Sequence, residues 1–247
     1  MAVPPLMRRP RRFAGPNLLA ANPKLEPIHQ SLYSAGSFAS GVALPRELLL
    51  FQYAVGNNIP GASGTAGALT NAHLLSTNMR TAGFLAAPKV FSVEGIRLIY
   101  SQLATPTTAG ASPVQQPSLN VVAAGVAAVF VDNLVRTHYS GVLDFSVGPK
   151  NYQEAPLWMF PSNTGLDGVA SIAGAWAVPV NELVTAVHSG GRYFGLGRYP
   201  VLIPAQQQFQ VTLKFPSPTN PTLVGAAGIN DLFVWVCLDG VLGREVS

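Results

Sequence analysis

Glycine and proline punctuate this chain so closely that little of it is left for continuous helix. There are 24 glycines and 21 prolines in 247 residues, half as many again as the ordinary combined share of about 12%. Between them lie short runs of strand character. Phe209, Val211, Leu213 and Phe215 alternate with Gln208, Gln210, Thr212 and Lys214, the pattern of a half-buried strand with one wet face. Leu232 to Leu238 is apolar on both faces and reads as a central strand. Phe91 and Val93 keep one parity, Ile96, Leu98 and Tyr100 the other, with Gly95 between them. A phase flip across one glycine predicts a β-bulge.

Further strands are expected over 48–55, 126–136 and 139–147. Residues 70–87 read as a helical turn or two, or equally as loop. One amphipathic helix is predicted, with Val180, Leu183, Val184 and Val187 at helical spacing behind Pro179 and ahead of Gly190 and Gly191. Short strands, long Gly/Pro-rich loops and a single helix point to an all-β antiparallel sandwich. The length suits one such domain and cramps two. With 48% hydrophobic residues and 12 Phe, the chain has ample core material and is no disordered segment.

Charge is unevenly placed. Residues 1–24 hold Arg8, Arg9, Arg11, Arg12 and Lys24 and no acid, whereas the other 223 residues carry only 21 Asp, Glu, Lys and Arg side chains. That is less than half the density by which a soluble monomer keeps its surface solvated, so much of the body's surface is expected to be buried against other subunits. The division predicted is a basic, Pro-rich arm over 1–45 and one domain over 46–247. Pro16 and Asn17 interrupt any apolar stretch behind the arginines, so the start is read as a retained arm rather than an export signal. The longest apolar run, Val121 to Val131, is too short for a membrane helix of about 20 residues. The arm's four guanidinium groups match phosphate oxygens, and four contacts would give a log affinity against log salt slope of about −3 to −4. Anionic lipid headgroups offer the same arm a second partner.

A search for catalytic chemistry is negative. His29, His73, His138 and His188 stand singly in the sequence, outside any metal-ligand spacing. Gly61-Ala62-Ser63-Gly64 only approximates a nucleophile elbow, and Gly195-Leu196-Gly197 lacks the third glycine of a dinucleotide turn. Asp231 and Asp239, if extended, lie roughly 26 Å apart and form no acid/base pair. Cys237, the one cysteine, sits in an apolar run and reads as a buried thiol. The expectation is a non-enzyme without metal, cofactor or small-molecule substrate. Leu157, Trp158, Met159 and Phe160 are candidate subunit contacts, because aromatic and Met side chains are enriched in interface cores. Equally, they read as a plug for one end of the sandwich.

The order of these segments resembles the single jelly-roll coat proteins of tailless icosahedral bacteriophages. The pieces that carry it are Thr77-Asn78-Met79 leading to Pro88–Ile96, then Gly141-Val142-Leu143-Asp144-Phe145, then Gln208–Phe215 followed by Asp231–Val246. The resemblance is one of organisation and spans residues 45–247. It implies two four-stranded sheets and subunits meeting in a closed shell with copies of themselves and other capsid proteins. It also implies an arm reaching neighbours, genomic nucleic acid or an internal lipid membrane. The location implied is the virion, after synthesis in the host cytoplasm. The alternatives are a decoration or minor coat protein, and a non-viral lectin-like or cupin-like binding module.

Overall fold

The computed structural model describes residues 25–39, 41–60, 74, 76–104, 133–161, 193–197, 199–215, 221–223 and 229–245. They form two antiparallel sheets packed face to face. The larger holds β1 (Leu25–Phe38), β9 (Ile229–Glu245) and β3 (Val90–Ala104) in that order, with the short β6 (Phe194–Gly195) and β7 (Val201–Ile203) on the outer edge of β3. The smaller runs β2 (Glu47–Leu50), β8 (Phe209–Lys214), β4 (Val142–Val147), β5 (Lys150–Pro156).

Pairing is nested about the tight turn at 148–149. β4 pairs with β5, β3 with β6 and β7, β2 with β8, and β1 with β9. Two further ladders, β3 with β9 and β4 with β8, join these pairs into sheets. The connections β1–β2, β3–β4, β5–β6 and β8–β9 therefore leave one end of the sandwich, and β2–β3, β4–β5 and β7–β8 leave the opposite end, while β6 and β7 follow one another along the same edge of β3.

The period-2 runs fill the space between the sheets. Phe209, Val211, Leu213 and Phe215 of the smaller sheet meet Leu232, Val234, Val236 and Leu238 of the larger, all buried in one apolar cluster. The bulge is where the parity predicts it. Val93 pairs with Gly240 and Gly95 with Asp239, so Glu94 is the extra residue, and Phe91, Val93, Ile96, Leu98 and Tyr100 all face inward. β9 is apolar on both sides because the outer face of its sheet is also covered. Tyr53 and Ile59 from the β2–β3 connection pack there on Ala35, Phe233, Trp235 and Cys237.

Three expectations fail on local grounds. Residues 25–38, assigned to an arm ending at residue 45, form β1 along β9 from Leu232 to Glu245. Its inward positions are Leu32, Ser34, Gly36 and Phe38. The small residues stand where β2 comes close, since a Cβ on Gly36 would lie 2.5 Å from Leu48 Cδ2, so the apolar alternation is absent. The strand expected over 126–136 is helix in its described part. Residues 133–140 (α1) bury Asn133, Leu134, Thr137 and His138 at i, i+1, i+4 and i+5, a helical stripe, and with Tyr139 inside α1, β4 starts at Val142. The strand expected over 48–55 stops at Leu50 because Phe51 takes φ 65°, outside the strand region. Residues 76–87 are turns and bends, and the helix expected over 180–188 lies outside the described residues.

Opposite the bulge, β9 passes so close to β3 that a Cβ on Gly240 would lie 1.9 Å from the Ser92 carbonyl oxygen. That contact is backbone and cannot swing aside. Gly240→Ala is expected to cost about 3 kcal/mol and lower the melting temperature by about 6–12 °C. Thermal unfolding followed by circular dichroism checks this, and an unchanged midpoint would contradict the packing described.

Candidate functional site

β5 ends at Pro156 because the chain tightens into a single 3-10 turn over Leu157–Met159. This turn is anchored to both sheets. The Leu157 N–H donates to the Gly141 carbonyl at 2.9 Å, and the Leu98 N–H of β3 donates to the Pro161 carbonyl at 3.1 Å. Gly141 has no room for a side chain, since a Cβ there would meet Leu157 Cδ1 at 2.4 Å and Phe215 Cε1 at 2.7 Å. Phe160 packs against Phe194 with ring centroids 4.9 Å apart.

The four candidate contact residues therefore divide. Leu157 and Phe160 are buried in the core, whereas Trp158 is 54% and Met159 43% exposed. A large aromatic and a thioether are thus held in solvent on a rigid base, the form of an anchor that needs little ordering to bind. The arm residues Arg8, Arg9, Arg11 and Arg12 lie outside the described residues.

On the outer face of the larger sheet, three strands bring polar groups together. Asp239 accepts from the Arg97 Nε–H at 2.7 Å and from the Ser31 hydroxyl. Burial pulls the Arg97 guanidinium down, but its hydrogen bond to Asp239 and the charges of Cys237 and Asp239 together outweigh this and hold it above its ordinary value. Ser31 and Asp239 of this trio line a hollow of about 420 Å³ with His29, Gln30, Glu94, Tyr193 and Gly240. The sequence carries no sign of it, because positions 31, 97 and 239 meet only through strand pairing.

Tyr100 and His138 serve the fold. Tyr100, fully buried, lies 3.0 Å by its hydroxyl from His138 Nδ1, which ties α1 to β3, and burial raises its phenol. Asp231 and Asp239 lie on one continuous strand with seven residues between them. Among the described residues, no three His, Cys, Asp or Glu side chains gather as a metal would require, and no helix is long and apolar enough to cross a membrane. His73 and His188 lie outside the described residues.

Compared with known proteins, the chain matches no protein family, no curated protein and no solved structure.

Two groups in the outer layer are sensitive to alkali. Burial pushes the Cys237 thiol up to about 11 and the Tyr53 phenol up to about 12, from ordinary values of 9.0 and 10.0. Both are neutral when folded, so their contribution is complete below pH 9. It falls above pH 9 as the unfolded chain ionises first, and is lost by about pH 12. The melting temperature is expected to decline across that window. Cys237 should also resist a thiol-specific dye at pH 8 until denaturant is added, and stoichiometric labelling of the folded protein would contradict its burial.

Proposed function

We propose that this chain is a jelly-roll capsid subunit of a tailless icosahedral bacteriophage, which associates with copies of itself and other capsid proteins into a closed shell. In this reading the arm carrying Arg8, Arg9, Arg11 and Arg12 reaches a neighbour, the genome or an internal membrane. The observation that carries it is the nested pairing. A long hairpin of paired strands, β1·β9 outside β2·β8 outside β3·β6/β7 outside β4·β5, folded over so that β9 meets β3 and β8 meets β4, supports the jelly-roll reading. Capsid, lectin and cupin domains share that architecture, so function rests on the surface. Support there comes from the low charge of the body and from Trp158 and Met159, half exposed on a doubly anchored turn. Contacts of this kind are modest singly and become cooperative when symmetry closes the assembly.

A lectin-like module is the second reading, favoured by the hollow at Asp239, where Tyr193 stands beside polar groups suited to a sugar. Light scattering across a salt series separates the two. The full chain is expected to give large particles, seen as closed shells by negative-stain microscopy, and a version starting at Leu25, which keeps β1, is expected to give smaller or salt-insensitive ones. A monomer at every salt concentration, with or without the arm, would overturn the shell reading. Trp158→Ala is expected to leave the melting temperature within about 1–2 °C and to weaken association about 30-fold. Leu157→Ala, in the core, is expected to cost about 2–5 kcal/mol of stability instead.

A further inference from the structure

At the end of the sandwich where β1 begins and β9 ends, the β2–β3 connection crosses the lower part of β1 and leaves a hollow of about 280 Å³. Arg80 and Lys89 line it together, both exposed, and among the described residues no acidic side chain shares the lining. Phe84, 37% exposed, and Leu74, 51% exposed, form its apolar rim, with the hydroxyl of Thr81 and the amide of Gln30 between. Neither Arg80 nor Lys89 forms an ion pair among the described residues, and two such cations around a recess leave a local positive potential that favours an anion. An aromatic edge at the same recess adds a stacking surface. Cations that track a backbone, interleaved with an aromatic on which a base lies, are the physical recipe for binding a single strand of nucleic acid. A flat lipid surface fits less well, because these groups line a recess rather than crown a convex face.

We propose that this hollow is a binding site for single-stranded nucleic acid, with Arg80 and Lys89 on neighbouring phosphates and Phe84 against a base. The site stands on the body of the protein and does not depend on shell formation.

The test is fluorescence anisotropy of a labelled single-stranded 20-mer against the full chain at nanomolar concentration, from 50 to 300 mM salt. Relative to the unsubstituted protein, R80Q/K89Q is expected to bind about 10- to 100-fold more weakly at 50 mM salt, with its log affinity against log salt slope shallower by about 1.4, two contacts at about 0.7 each. F84A is expected to bind about fivefold or more weakly at every salt concentration with the slope unchanged, the loss of one stacked base, and to bind a duplex of the same sequence as the unsubstituted protein does. All three substituted side chains are exposed, and unchanged melting curves verify the fold. Unaltered affinity and slope in both variants would place all binding on the arm and overturn the proposal, as would the absence of oligonucleotide binding by the full chain. Equal loss of duplex and single-strand binding in F84A would overturn the stacking role. Flotation with phosphatidylserine vesicles is the remaining arm, and variants that lose vesicle binding while keeping the oligonucleotide would assign the hollow to lipid instead. Light scattering of the same variants reports assembly separately, so failure here and failure of the shell reading are distinct results.

Discussion

Strand β9 is hydrogen-bonded along both edges and packed on both faces, and the rest of the fold depends on that double engagement. A buried strand must satisfy every backbone N–H and C=O within the protein, and β1 and β3 supply partners along nearly its whole length. Its inward side chains meet the smaller sheet, and its outward ones meet Tyr53 and Ile59. β9 and β3 fall out of step twice, between Gln102 and Ala104 and at the Glu94 bulge, where Gly240 makes the close approach possible. The bulge also sets the hollow beside Asp239, because it turns Glu94 outward next to Tyr193.

The outer edge of β1 is the exposed flank of this arrangement, and an open strand edge invites pairing with other chains. From Ser31 to Ser37 it is covered. Ala35 donates its N–H to the Ser76 carbonyl at 2.8 Å, Ser37 donates to the Pro60 carbonyl at 3.0 Å, and the Asn78 side chain bridges Tyr33 N–H and the Ser31 carbonyl. Among the described residues this cover stops at Ser31. Beyond it stands Pro27, an outward-edge position where a residue without an N–H offers a visiting strand one bond fewer.

What the sequence made legible is what alternation and burial write directly. The two-faced apolar run of β9, the wet-faced β8 and the phase flip at Gly95 each correspond to a single backbone geometry. β1 was illegible because its inward positions must be small beneath Leu48 and Leu50, and α1 because its valine-rich approach has strand character while the deciding stripe, Asn133 to His138, is partly polar. In the site, four consecutive apolar residues at 157–160 do not say which way each points. The 3-10 turn decides it, sending Leu157 and Phe160 inward and Trp158 and Met159 out. The hollow at Arg80 and Lys89 is invisible in one dimension, since its walls come from β1, β9 and the β2–β3 connection.

The pairing of Leu25 with Glu245 and of Phe38 with Leu232 means that the first strand described waits for the last. At a synthesis rate of about 5–20 residues per second, β1 leaves the ribosome on the order of ten seconds or more before its partner exists. The larger sheet cannot close during that interval, whatever has formed from β2 to β8. A strand composed of Pro27, Gln30, Ser31, Ser34, Gly36 and Ser37 is a poor template for a neighbouring nascent chain. The same weak β character that hides β1 from a reader of the sequence lets it stay unattached until β9 arrives. Folding of the chain is thereby timed by its own connectivity, with the large sheet completed only once β9 has been made.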